Sequence, residues 1–204
     1  NEPSMWTGAL YLGDMVVPTG IYGGRDMTHS HLGKPAPHSR CRNVYGLLEC
    51  RATREGLLRL RPDRRPFVLT RSGYAGIGRY AAMWTGDNSS TWSHLRMSIP
   101  MLVNLGLTGQ PIAGPDIGGF MWNASRELFA RWIQLGSLYP FCRVHTMVHS
   151  RRHEPWSFGR RVEKIARTYI GLRYRLLPYL YSLVWEAHRL GDPLWRPLAY
   201  HFPG

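Results

Sequence analysis

The chain has 204 residues, 44% of them hydrophobic and 19% charged, a profile that excludes a disordered tail and fits a folded globular protein. Its apolar runs, the richest being Ile99 to Leu107, are broken well short of the roughly 18 residues a spanning helix needs, so no transmembrane segment is predicted. A net charge of +13, from 26 basic against 13 acidic residues, raises the question of a polyanionic partner.

Residues 1–42 are rich in Gly, Pro and His, and show neither the helical nor the strand period. Pro18-Thr19-Gly20 and Gly23-Gly24 are turn-like, so this part reads as a long loop of the kind that is functional or built on neighbouring structure. Within it, His29, His31 and His38 have spacings that permit metal ligation. No Cys pair accompanies them, and a surface loop is the better reading. Asn43 caps a predicted helix that carries Val44, Leu47, Leu48 and Ala52 on one face and runs to about Arg61, where Pro62 stops it.

Arg65 to Arg71 is a short apolar run bounded by charge, as expected of a buried parallel strand. Tyr80 to Trp84 repeats that character and ends in Thr85-Gly86-Asp87-Asn88. A helix from near Ser90 places Trp92, Leu95, Ile99 and Leu102 on one face, with Pro100 as a kink. Pro111 to Gly114 is a third strand candidate, ending in Pro115-Asp116-Ile117-Gly118-Gly119-Phe120. A helix from about Ser125 to Leu135 leads to a fourth strand, Tyr139 to His145. A long final helix sets Ile165, Tyr169, Leu172, Leu176, Leu180, Leu183 and Ala187 at steps of three and four, with Pro178 as a bend.

Strands alternating with helices indicate βαβ units on a parallel sheet, hence an α/β fold. Each strand candidate terminates in a chemically capable side chain: Arg71, Asp87, Asp116 and His145. Singly, Asp87 reads as a helix cap, Asp116 as a turn residue and His145 as a core histidine. Jointly, with Trp84, Phe120 and Trp132 nearby, they suit a sugar pocket, because rings stack on the apolar faces of sugars while carboxylates and Arg hold hydroxyls. Cys41, Cys50 and Cys142 are odd in number and without framework spacing, which favours a reducing, cytoplasmic location. No secretory leader is recognisable, and an opening Asn1 in place of Met reads as a cut edge.

Several blocks, in order and over nearly the whole chain, closely resemble glycoside hydrolase family 31. They are Asn1-Glu2-Pro3-Ser4, Arg79 through Trp84-Thr85-Gly86-Asp87-Asn88, Gly114-Pro115-Asp116-Ile117-Gly118-Gly119-Phe120, and Arg131-Trp132-Ile133-Gln134-Leu135-Gly136 with Pro140-Phe141-Cys142-Arg143-Val144-His145. Arg151-Arg152-His153-Glu154-Pro155-Trp156 and Arg173 through Tyr181 continue the match. The resemblance implies a (β/α)8 TIM barrel and hydrolysis of α-glycosidic bonds with retention, by a nucleophile and a general acid/base about 5 to 5.5 Å apart.

By that resemblance Asp87 is the general acid/base and Arg79 contacts sugar hydroxyls beside it. Asp116 and His145 bind the hydroxyls of the first sugar, and Trp84, Phe120 and Trp132 wall its subsite. The family nucleophile, an Asp, would lie two residues upstream of Asn1, outside this sequence; Glu2 matches the Glu of that motif and not its nucleophile. The resemblance therefore makes the chain the C-terminal half of the barrel, its strands five to eight. Residues 1–42 become a loop on the active-site side, 43–193 the half-barrel, and 194–204 the start of a distal β domain. No cofactor or metal is implied, and the partner is an oligosaccharide or α-glycoside. Two departures, Val144 where Asn is common and Gly118 where Cys is frequent, alter packing rather than reaction type.

Half a barrel leaves strand hydrogen-bonding groups unpaired, so no turnover is expected without the missing N-terminal half. Two other readings compete with the enzyme: a non-catalytic carbohydrate-binding remnant, and a nucleic-acid-binding module. The second has little support, since no such motif occurs and the basic residues, all Arg except Lys34 and Lys164, are scattered through helices and loops.

Overall fold

A computed structural model describes residues 9–12, 15–18, 28–31 and 33–203. Two antiparallel hairpins come first, β1 (Ala9–Leu12) with β2 (Met15–Pro18) and β3 (Thr28–His31) with β4 (Lys34–Pro37). The expected long loop is therefore partly strand. Gly33, at φ +79, supplies the left-handed backbone at the β3–β4 turn. Helix α1 (His38–Leu60) starts six residues earlier than a cap at Asn43 would place it, with Pro37 in the capping position. It buries His38, Cys41 and Cys50, whereas Leu48 and Ala52 of the predicted face are exposed.

The remaining strands are short and parallel. β5 (Leu69–Thr70) pairs with β6 (Ala82–Trp84), and β6 pairs with β7 (Ala113–Gly114). Pro115 separates β7 from β8 (Asp116–Ile117), which turns to pair with β9 (Arg143–Val144). The missing proline N–H interrupts the ladder at that point, so one continuous segment serves two sheet neighbours in succession. Between β6 and β7 runs α2 (Trp92–Leu107), and between β8 and β9 runs α3 (Arg126–Gly136). No α-helix joins β5 to β6; a single 3-10 turn at Ile77–Arg79 does so. The long helix α4 (Arg160–Leu190) follows β9, and Pro178 lies inside it.

The core forms where α2, α3 and α4 close over β7 and β8, with Leu102, Ile117, Leu128, Phe129, Ile133 and Phe158 at its centre. Ser125 caps α3 by accepting from the N–H of Leu128, and Thr91 caps α2 by accepting from that of His94. On α2 the buried positions are Leu95, Ser98, Leu102 and Gly106, while Trp92 and Ile99 are exposed, so the helix is rotated from the predicted face. Among the described residues of the segment expected to open a β domain there is no strand; α5 (Leu198–His201) is a helical turn there, after Pro197. Trp195 anchors it by donating to the carbonyl of Leu138, and Tyr200 by donating to Asp192.

Among the described residues no helix is long and apolar enough to cross a membrane. None of the three cysteines is paired.

Candidate active site

Because β5, β6, β8 and β9 run parallel, their C-terminal ends point one way, and the chemistry gathers there. Arg71 follows β5 directly and Asp87 follows β6; the Arg71 Nη1 donates to Asp87 Oδ1 at 3.2 Å, with both side chains about one-third exposed. Asp87 caps no helix, because Thr91 fills that position on α2. The exposed strand-end carboxylate is thus paired with Arg71 rather than tied into a helix backbone.

Asp116 lies within β8 and is fully buried. Arg143 of β9 reaches across the strand pair, its Nη2 2.5 Å from Asp116 Oδ1. The other oxygen, Oδ2, is buried and has no partner among the described residues. Burial pushes the Asp116 carboxyl above its ordinary value; Arg143 and His145 oppose that shift, and the nearby Asp87 adds to it. A buried carboxylate with one oxygen anchored and one free is equipped to receive a hydroxyl.

Trp84, the last residue of β6, lies under two guanidinium groups: that of Arg143 at 5.0 Å from the ring centroid and that of Arg71 at 5.9 Å. The Phe120 and His145 rings stack at 5.3 Å and 24°, so His145 is an exposed partner of an aromatic wall rather than a core histidine. What joins the β6 and β8 ends is Asn88. Its Nδ2 donates to the Asp116 carbonyl at 3.0 Å, its Oδ1 accepts from the Phe120 N–H at 3.0 Å, and its own carbonyl accepts from the N–H groups of Phe120 and Met121. Gly118 and Gly119 carry the turn at φ +95 and +91. A Cβ on Gly119 would lie 2.4 Å from the backbone nitrogen of Ser90, so only glycine allows the two loops to meet.

Asp87, Asp116, His145, Trp84 and Phe120 are therefore brought together, and two expected residues are not. Arg79 is exposed in the 3-10 turn before β6, at the opposite strand end from Asp87. Arg71, not Arg79, stands beside Asp87. The signal was available, because Arg71 follows an apolar run whereas Arg79 precedes one, and only the C-terminal end of a parallel strand faces the site. Trp132 is wholly buried in the core on α3, packed there because the helix turns that face inward. Arg143 and Asn88 had no role in the sequence reading; their contribution lies in cross-strand contacts.

The Asn1-Glu2-Pro3 opening and the His31 side chain lie outside the described residues. His29 Nε2 and His38 Nδ1 approach to 2.8 Å, yet among the described residues no three His, Cys, Asp or Glu side chains gather to hold a metal ion.

Residues 11–183 match the model of the glycosyl hydrolases family 31 TIM-barrel domain. Alpha-glucosidase 2 of Bacillus thermoamyloliquefaciens is 50% identical over 203 residues, covering 100% of this chain and 24% of that protein. Neutral alpha-glucosidase C of Homo sapiens is 48% identical over 81% of this chain and 18% of its own length. Among solved structures, the family 31 alpha-glucosidase from Bacteroides thetaiotaomicron superposes with a TM-score of 0.77 at 50% identity, over 83% of this chain and 29% of its own. The Tris-bound glucosidase II alpha subunit does so with a TM-score of 0.79 at 43% identity, over 82% and 18%. The chain thus spans at most about a quarter of the length of these curated relatives.

Proposed function

The chain belongs to glycoside hydrolase family 31, and from that premise we propose that it is the second half of the catalytic barrel of a retaining α-glycosidase, α-glucosidase-like in substrate. Residues 43–193 carry the fifth to eighth barrel strands in this reading. The nucleophilic carboxylate is supplied by a part of the barrel outside this sequence. Asp87 protonates the departing glycosidic oxygen and then, as carboxylate, takes the proton of the attacking water. Arg71 orients Asp87 and offers its remaining donors to a sugar hydroxyl. Asp116, held by Arg143, accepts a hydroxyl through Oδ2, His145 adds a ring nitrogen, and Phe120 and Trp84 supply aromatic walls.

The observation that carries the reading is the placement of an exposed Asp–Arg pair and a buried, half-satisfied Asp on parallel strand ends, bridged by Asn88. The test uses the longest natural polypeptide containing this sequence, assayed with p-nitrophenyl α-glucoside and with maltose. Hydrolysis with retention is expected, and Asp87→Asn lowers kcat on maltose by about 10²–10⁴-fold. No hydrolysis by the parent, or full activity in Asp87→Asn, would overturn it.

A further inference from the structure

Beneath the turn that carries Phe120 lies a group that the proposed reaction does not use. His153 is 3% exposed, and neither of its ring nitrogens makes a hydrogen bond among the described residues. Its imidazole leans on the stacked rings of Phe129 and Phe158, at 5.5 and 5.6 Å, and these two lie 4.1 Å apart. The fourth side of the ring is Gly118: a Cβ there would stand 2.6 Å from His153 Nδ1 and 2.7 Å from Cε1. Imidazole and glycine therefore share one space, and the ring fills what a side chain at 118 would occupy.

We propose that His153 is a positioning residue of the sugar site, supporting the Gly118 turn from below and fixing the spacing of Asp116 and His145. Its placement argues for this. The ring abuts Gly118, two residues after Asp116, and the backbone of Ile117 and of His145 is near enough to act on it. One buried ring thus addresses both strand ends that hold the first sugar. Burial lowers the pKa of His153, with Arg151 adding to that and the backbone groups of Ile117 and His145 and the Glu154 carboxylate opposing it.

The inference rests on the proposed glycosidase reading, and the experiment separates the two. In the longest natural polypeptide containing the chain, His153→Ala is expected to raise KM for p-nitrophenyl α-glucoside about tenfold while kcat changes less than about threefold. His153→Gln, which keeps a side chain packed against Gly118, recovers most of that loss and carries the test where the Ala variant does not fold. Gly118→Ala alone loses at least as much, and Gly118→Ala with His153→Ala loses less than the product of the two, because the Cβ enters vacated space. A KM unchanged in folded His153→Ala and His153→Gln, or fully multiplicative losses at 118 and 153, overturns the inference and leaves the glycosidase reading intact. Absence of hydrolysis by the parent overturns both.

Discussion

The guanidinium of Arg71 stands 3.2 Å from the carboxylate of Asp87, at the C-terminal ends of two neighbouring parallel strands, while Arg79 lies exposed at the far end of the second strand. Two arginines eight residues apart are thereby assigned opposite fates by strand direction alone. The pair also means that Asp87 is not an isolated carboxylate; its orientation is held by the Arg71 guanidinium.

Arg71→Ala is expected to lower kcat/KM on an α-glucoside by about 30- to 300-fold, since it removes a charge-assisted contact to Asp87 along with its remaining donors. Arg71→Lys recovers little, because a single ammonium cannot reproduce the fixed fork. Arg79→Ala stays within about twofold of the parent. Steady-state kinetics on the three variants decide it, and equal losses at 71 and 79 would remove Arg71 from the site.

Asn88→Ala deletes both side-chain bonds that tie Asp87's loop to the Asp116 strand, at 3.0 Å each, but leaves the bonds its carbonyl accepts from Phe120 and Met121. The loops should stay together but loosen. A loss of about tenfold in kcat/KM is expected with a Tm only a few degrees lower. A loss under twofold would show that the backbone bonds alone hold the register.

Asp116 contributes a pH dependence whose sign follows from its raised carboxyl. The folded protein keeps a proton that the unfolded chain releases near 3.8, so stability from this group falls as pH rises from 3.8 through the raised value and levels off beyond it. Asp116→Asn, uncharged throughout, removes that decline. Thermal melts of parent and variant in steps from about pH 4 to about pH 7 give the difference curve. A difference that grows in the parent's favour with rising pH contradicts the assignment.

Gly119→Ala and Gly86→Ala form a matched pair, at φ +91 and +82. Both meet left-handed strain of about 1 kcal/mol. Only at 119 does the new Cβ also strike backbone, at 2.4 Å from Ser90 N, whereas nothing lies within 4 Å at 86. Gly119→Ala is therefore expected to lose more than about 100-fold in kcat/KM and Gly86→Ala less than about tenfold. Similar losses would place the constraint in backbone strain and not in the approach of the two loops.

The sequence by itself determined the alternation of strands and helices from the first long helix to the last, the α/β class and most of the residues at the strand ends, but not the two hairpins before them or the helical turn after. Apolar runs that stop at Asp87 and His145 are local signals, as is Ser125 at the start of its helix. Its blocks also determined the family. Only the tertiary structure decided which face each helix buries and which side chains meet. Trp132 and Trp84 are equally aromatic in the sequence; one is sealed under α3 and the other lies beneath two arginines, because packing between elements, not composition, sets exposure. The pairing of Asp116 with Arg143, the clamp of Asn88 and the fit of His153 against Gly118 join residues 27 to 35 positions apart, and no periodicity in the chain encodes contacts made across strands.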